Sequence, residues 1–265
     1  ITDPRSRTEV AGTLLASGGM QGGDGGFIET SGYVLDTTGA MVRANAPAGR
    51  GGLWLLDPED SVITQAVADG YADTLNTGTN VTNLVSGNMR WKGGVVLEKS
   101  EGDDATLTLR TTDAGDIVFE SGAAIISTAG KLDVRLDADG QIDIASGVRF
   151  VTNGGATRFS AAGNRPVEVV ELESDDDSDL TADAETDTDT DTETSSDIDT
   201  DDDRDDLRFA GSIDASSSTA TGGRVLLEGG RIALADTASI DTSGSAGGGE
   251  VLVGGGWQGD SSEIT

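Results

Sequence analysis

The sequence predicts an all-β fold, a parallel β-helix (β-solenoid) with about three short strands per coil. A glycine pair followed by a short apolar run occurs five times, beginning at Gly25, Gly51, Gly93, Gly222 and Gly248. The first two copies and the last two copies are each 26 residues apart. A fixed period of this length is typical of stacked repeats, each of which is one supersecondary unit.

Each copy of this phrase has the composition of one corner followed by one strand. Glycine adopts positive φ without steric cost, and apolar or β-branched residues favour a half-buried extended chain. In the amino-terminal part we expect strands over 12–16, 26–30, 33–35, 41–44 and 53–56.

The strand over 53–56 reads Leu-Trp-Leu-Leu, which is apolar on both of its faces. A strand of this kind is usually covered on both sides, so we expect another element over its outer side. Residues 61–90 depart from the simple rhythm, and 64–74 are expected to form a short helix.

From residue 105 onward apolar and polar residues alternate with a period of two. Such segments span 106–110, 116–120, 131–137 and 141–144, with Asp-Gly, Ala-Gly or Ser-Gly between them. This spacing is typical of all-β proteins. Three such strands fill one 26-residue period, which favours a three-faced β-helix over a sandwich. At about 22 to 26 residues per coil, the chain would form roughly nine or ten coils.

The domain organisation is interrupted once. We expect coils over 1–172, an acidic disordered insertion over 173–206, and further coils over 207–265. The insertion contains 18 acidic residues and one basic residue. Like-charge repulsion and the near absence of apolar residues oppose folding of such a segment.

The composition restricts the classes of function. The net charge is −31, with no cysteine and no histidine. A field of this sign repels phosphate, so nucleic acid is disfavoured as a partner. The Asp-rich surface with only three lysines suggests a halophilic habitat, because salt screens self-repulsion. No apolar run reaches membrane-spanning length, so we expect a chain that does not span a membrane. The start at Ile1 without Met suggests a piece of a longer polypeptide.

The order of these phrases resembles that of filamentous haemagglutinin-like large exoproteins, the secreted adhesins of bacterial two-partner secretion. The resemblance rests on GGFIETSG at 25–32, GRGGLWLLDPED at 49–60, ADTLNTGTNVT at 72–82 and the closing SIDTSGSAGGGEVLVGGGWQG at 239–259. It covers about 10–160 and 207–260 and departs from the family at the acidic run. The amino-terminal secretion domain of the family is not recognisable.

The resemblance implies a right-handed parallel β-helix, export through an outer-membrane secretion partner, and a place in a secreted or cell-surface bacterial protein. The expected role is non-enzymatic: a structural or adhesive shaft segment that contacts an unknown receptor or glycan on a host or neighbouring cell. Two alternatives stay open, a β-helical polysaccharide lyase or glycosidase, and the stalk of a contact-dependent inhibition toxin.

We predict no catalytic, cofactor-binding or metal-binding residues and no cofactor. Three carboxylates lie within 57–60, but an acid-rich Asp-Pro segment is ordinary turn chemistry. Calcium binding was considered at Gly22–Gly25 and at the alternating acids Asp187, Asp189, Asp191 and Glu193, which lack the loop glycine of an EF-hand. Asn80 begins an Asn-Val-Thr sequon. Trp54 and Trp91 are interpreted as packing residues, and Trp257 as the better candidate for stacking on a ligand.

Overall fold

The computed structural model describes residues 6–161 and 206–254, which belong to one unit of the chain. These residues form a parallel β-solenoid of short strands with one helix, as the sequence predicts. The elements in chain order are β1 Arg7–Glu9, β2 Thr13–Leu15, β3 Phe27–Gly32, β4 Val34–Asp36, β5 Met41–Arg43, β6 Leu53–Pro58, β7 Ser61–Ile63, α1 Gln65–Leu75, β8 Asn80–Val85, β9 Met89–Trp91, β10 Val96–Lys99, β11 Ala105–Thr111, β12 Ile117–Phe119, β13 Ala124–Ser127, β14 Leu132–Ala138, β15 Ile142–Ile144, β16 Arg149–Val151, β17 Thr157–Ala161, β18 Leu207–Phe209, β19 Ser212–Asp214, β20 Arg224–Gly229, β21 Ile232–Leu234, β22 Ser239–Asp241 and β23 Glu250–Val253.

The coils present three faces. The first face is an eight-stranded sheet in the order β3-β6-β8-β11-β14-β17-β20-β23. The second face is β7-β9-β12-β15-β18-β21, and the third face is β10-β13-β16-β19-β22. Each complete coil therefore supplies three strands, as expected. Leu107 pairs with Val81 in one neighbouring coil and with Val134 in the other, 26 and 27 residues away.

The first face counts eight coils in the described residues, fewer than the nine or ten expected. Residues 16–26 form a long connection between β2 and β3 and add no strand. The expectation treated this stretch as ordinary repeat.

A continuous core fills the interior of the coils. The alternating pattern directs Leu107, Leu109 and their equivalents inward, where they are fully buried. Most core side chains are aliphatic, but five aromatic rings contact one another in sequence across the coils: Trp91, Phe119, Phe150, Phe159 and Phe209. Stacking of identical positions thus supplies a core despite the low aromatic content.

The amino-terminal coils differ from the rest. There β1 pairs only with β4, and β2 pairs only with β5, while β3 continues into the first face through β6. Neither β4 nor β5 pairs with a strand of the following coil. The first face is therefore the sheet that joins the amino-terminal coils to the others.

The helix α1 causes this interruption. It starts one residue later than the expected 64–74 and occupies the place of a third-face strand between β7 and β8. Its inner side buries Ala68, Tyr71 and Leu75, and the Tyr71 ring meets the Trp54 ring edge-on at 6.0 Å. The helix predicted from the broken rhythm is confirmed.

The expected cover over the outer side of β6 is not found in the described residues. Trp54 and Leu56 point into the core, while Leu53 and Leu55 stay partly exposed. The helix instead completes the wall of the coil at the third face. The both-sided apolar run is therefore only half buried.

The coil is interrupted between β17 and β18. The equivalent connection from β14 to β15 spans 139–141, whereas this one spans 162–206. The strands on either side keep their register, because Ile142 pairs with Leu207 and Leu207 pairs with Ile232. Except for Asp206, the predicted disordered insertion at 173–206 lies outside the described residues and stays a prediction.

A membrane span is not found among the helices of the described chain. With 11 residues, α1 is too short to cross a bilayer.

Candidate functional site

Side chains at the corners bind the backbone of the next coil. Before the second-face strands, Asp60 Oδ1 accepts the Asn88 N–H at 2.8 Å, and Asn88 Oδ1 accepts the Asp116 N–H at 3.0 Å. Asp116 Oδ1 in turn accepts the Gln141 N–H at 2.8 Å. We call this series the second-face ladder. Each acceptor directly precedes a strand, so its carbonyl or carboxylate oxygen reaches one coil along the stack.

A similar series lies at the start of the first-face strands. Asn80 Oδ1 accepts the Thr106 N–H, Asp104 Oδ1 accepts the Lys131 N–H, and Asp133 Oδ1 accepts the Ala156 N–H, each at 2.8 Å. These Asp and Asn side chains satisfy backbone donors where the chain turns between strands. Part of the acidic composition is therefore structural.

Removal of one ladder acceptor tests this role. Asp116→Ala is expected to lower the free energy of unfolding by about 1 to 2 kcal/mol, because the Gln141 N–H loses a charged acceptor. Asp116→Asn should recover most of this loss, since Asn88 performs the same role one coil earlier. Urea unfolding of the three proteins measures the difference. Equal losses in both variants would show that charge, and not the hydrogen bond, is what matters.

The outer side of the first face carries ion pairs between coils. Arg110 pairs with Asp137 at 3.4 Å, and Arg224 pairs with Glu250 at 2.8 Å. Half-exposed Thr82 and Thr108 occupy matching positions on β8 and β11. Exposed pairs of this kind add little stability. They give the face a repeated array of hydroxyl and charged groups.

Several exposed carboxyl groups are held in their ionised form. The Gly93 N–H donates to Glu120 Oε2 at 2.9 Å, and this bond, with the nearby Lys92 and Arg90, lowers the pKa of Glu120. The Arg50 backbone N–H and guanidinium likewise lower the pKa of Asp24. A general acid needs the opposite shift, so these groups act as hydrogen-bond acceptors and fixed anions.

The lowered pKa of Glu120 predicts a pH dependence. The unfolded state binds this proton near pH 4.5 and the folded state only at lower pH. The stabilisation is therefore complete above pH 4.5 and is lost as the pH falls through the folded pKa. We expect Glu120→Gln to be less stable than the unmodified chain at pH 7, with the difference shrinking towards pH 3. Urea unfolding across this range measures it, and a constant difference would contradict the assignment.

An open polar groove lies along the corner that precedes the first-face strands. It has a volume of about 830 Å³, and its lining includes Asp24, Arg50, Thr77, Asp103 and Asp104. The Asp24 carboxylate is paired with Arg50 at 3.1 Å, and Asp104 belongs to the first-face ladder. The carboxylates of this groove are thus partly engaged in holding the corner.

The structure places the sequence candidates in structural roles. Asp60 lies at a corner and begins the second-face ladder, so the turn interpretation of 57–60 is confirmed. Asn80 lies on β8, where its Nδ2 donates to the carbonyl oxygens of Gly51 and Gly52. A glycan on this nitrogen would disrupt those bonds. Trp54 and Trp91 are buried in the core, as interpreted.

The metal and ligand candidates are settled only in part. Asp24, the acid of the Gly22–Gly25 segment, is paired with Arg50. Within the two described ranges, no group of three or more acids could hold a metal ion. The alternating acids from Asp187 to Glu193 and the indole of Trp257 lie outside the described residues.

Sequence reasoning missed two buried polar groups. Lys99 is fully buried, and its Nζ donates to the carbonyl oxygens of Glu101, Gly102 and Ala129. Burial lowers the pKa of this lysine. No local pattern distinguishes Lys99 from an exposed lysine, because its acceptors lie in two different coils.

The second missed group joins the helix to the sheet. Asn83 Nδ2 on β8 donates to Tyr71 OH at 3.0 Å and to Ser61 Oγ at 2.8 Å. Burial raises the pKa of Tyr71 far above its ordinary value. The even spacing of Asn83 from Val81 and Val85 on an alternating strand is the signal that could have placed it inward.

No family model, curated protein or solved structure matches this chain. The fold and the ladders define its class: a parallel β-solenoid whose corners are stacked by hydrogen bonds from side chains to backbone.

Proposed function

We propose that the chain is a non-enzymatic structural and adhesive segment of a secreted or surface-exposed bacterial exoprotein, exported with the help of an outer-membrane partner. One observation carries this proposal: the first face continues through eight parallel strands with corner ladders beside it. A sheet joined coil to coil in this way resists bending. It is suited to hold a binding region at a distance from the cell.

Adhesion would use the outer side of the first face. The side chains there repeat from coil to coil, and repeat proteins often bind through such extended surfaces. Thr82 and Thr108 lie side by side, with the Arg110–Asp137 pair nearby. Hydroxyl groups and ion pairs in this arrangement favour a polar ligand on a cell surface, such as a glycan.

Beads coated with the full chain test adhesion to cultured cells. We expect saturable attachment that falls when Thr82→Arg and Thr108→Arg are combined on the first face. The matched control combines Ser218→Arg with Thr219→Arg at an exposed corner and adds the same charge. Attachment no better than that of uncoated beads, or equal losses in both variants, would overturn the proposal.

The enzyme alternative has one observation in its favour, the corner groove with Asp103 and Asp104 in its lining. A polysaccharide lyase or glycosidase would release new chain ends from acidic polysaccharides. Release that disappears in a variant carrying Asp103→Asn and Asp104→Asn would replace the structural proposal with this one. The same variant with unchanged release would point to a contaminating activity.

A further inference from the structure

We propose that the groove between β5 and α1 binds a basic polypeptide segment of another protein, with one apolar side chain seated over Gly70. We call it the β5–α1 groove. It has a volume of about 640 Å³, and its lining includes Met41, Ala66, Asp69, Gly70, Asp73 and Glu101. This inference does not depend on the adhesive role proposed above.

The groove exists because the third face is interrupted. In the described residues β5 pairs with β2 and with no strand on its other side. The edge of β10 is closed differently. The Gln65 side chain donates to the Val96 carbonyl at 2.7 Å and accepts the Val96 N–H at 3.0 Å, as a neighbouring strand would. The helix therefore closes against β10 and leaves a depression on the side of β5.

Gly70 is the residue that the fold itself does not explain. It lies in the middle of α1, where glycine is much less favourable than alanine. A Cβ built at Gly70 would meet no atom within 4 Å, and the backbone there does not have positive φ. Glycine is expected where another chain approaches a backbone closely. The open space above Gly70 is inside the groove.

The chemistry of the lining defines the partner. Met41 is 48% exposed, and with Ala66 and Gly70 it offers an apolar floor that an adaptable methionine can fit to a guest. Asp69, Asp73 and Glu101 supply three carboxylates, against one base, Arg43. An apolar floor with an acidic rim complements a segment that combines lysine or arginine with an apolar residue.

A second copy of this chain is a poor occupant. The net charge of −31 makes two copies repel each other. Charge complementarity therefore favours a basic partner.

Fluorescence anisotropy with a short labelled peptide that alternates lysine and leucine tests the proposal on the full chain at physiological salt. Gly70→Trp should fill the groove and weaken binding by at least about tenfold. Gly12→Trp is the matched control, because a Cβ at Gly12 also meets no atom within 4 Å but lies outside the groove. Unchanged binding by a folded Gly70→Trp protein would overturn the proposal.

Two further variants keep the test decisive. Gly70→Ala should raise the melting temperature, because alanine favours helix, and yet weaken the peptide. If it stabilises the chain without affecting binding, the groove is not the site. Asp69→Asn with Asp73→Asn should weaken binding more than Asp113→Asn with Asp143→Asn, which remove the same charge elsewhere. Equal losses from the two pairs would show general attraction to an acidic protein and would also overturn the proposal.

Discussion

The substitution Phe150→Ala is expected to lower the free energy of unfolding by about 3 to 5 kcal/mol. Phe150 on β16 is fully buried, and its ring lies 5.3 Å from the Phe119 ring and 5.0 Å from the Phe159 ring. Removing it leaves a cavity between coils that are fixed by backbone pairing on both sides. The neighbours therefore have little freedom to fill the space.

Urea unfolding followed by tryptophan fluorescence measures this loss, since Trp91 and Trp54 are buried in the same core. The matched control is Phe27→Ala, because Phe27 is 57% exposed on β3. It should change the free energy of unfolding by less than about 1 kcal/mol. Similar losses at the two positions would mean that the aromatic contacts across coils do not stabilise the fold.

Lys99→Met is expected to lower the free energy of unfolding by about 2 to 3 kcal/mol, although methionine is the more apolar residue. The ammonium group of Lys99 donates to three backbone carbonyls at the end of the third-face strand β10 and in the next coil. Methionine fits the buried stem but leaves these carbonyl oxygens without a donor. The cost of the unpaired carbonyls exceeds the gain from removing a buried charge.

The same change on an exposed lysine provides the control. Lys131 is exposed, and its contribution to the first-face ladder is its backbone N–H, which methionine keeps. Lys131→Met should therefore alter stability by no more than about 0.5 kcal/mol. Thermal and urea unfolding of both variants decide the point. A Lys99→Met protein as stable as the parent would show that the carbonyls find water instead.

The strands and their stacking could be predicted because they follow from local chemistry. Alternation over 131–137 predicts β14, and the register pairs Val134 with Leu107 in the preceding coil. The helix could be predicted as well, since 64–74 lacks both alternation and glycine corners of the repeat. These features need only the period of the side chains and the turn residues.

The contacts between coils were beyond this reasoning in detail, although one signal was present. Asp60, Asn88 and Asp116 are each 28 residues apart, and each directly precedes a strand. An acceptor side chain repeated at the length of one coil predicts a ladder. Gln65 offers no such signal, because its amide bonds the edge of β10 only once α1 has taken the place of a strand.

The candidate sites depend even more on the assembled coils. The β5–α1 groove combines Met41 with Glu101, which are 60 residues apart in the chain. Sequence patterns describe neighbours along one strand or one helix. A groove that forms where a sheet is interrupted appears only when the missing strand pairing is seen.

The corner between β17 and β18 shows how this architecture tolerates foreign sequence. The chain departs after Ala161 and resumes its pairing at Leu207 in the register that the coils would have had without the interruption. A corner is therefore a natural cassette position, at which a segment can be exchanged while the coils before and after it stay aligned. An epitope or a small domain grafted between 161 and 207 would be displayed from one defined edge of the solenoid. The same logic explains how such a chain could acquire new segments in evolution without redesign of its core.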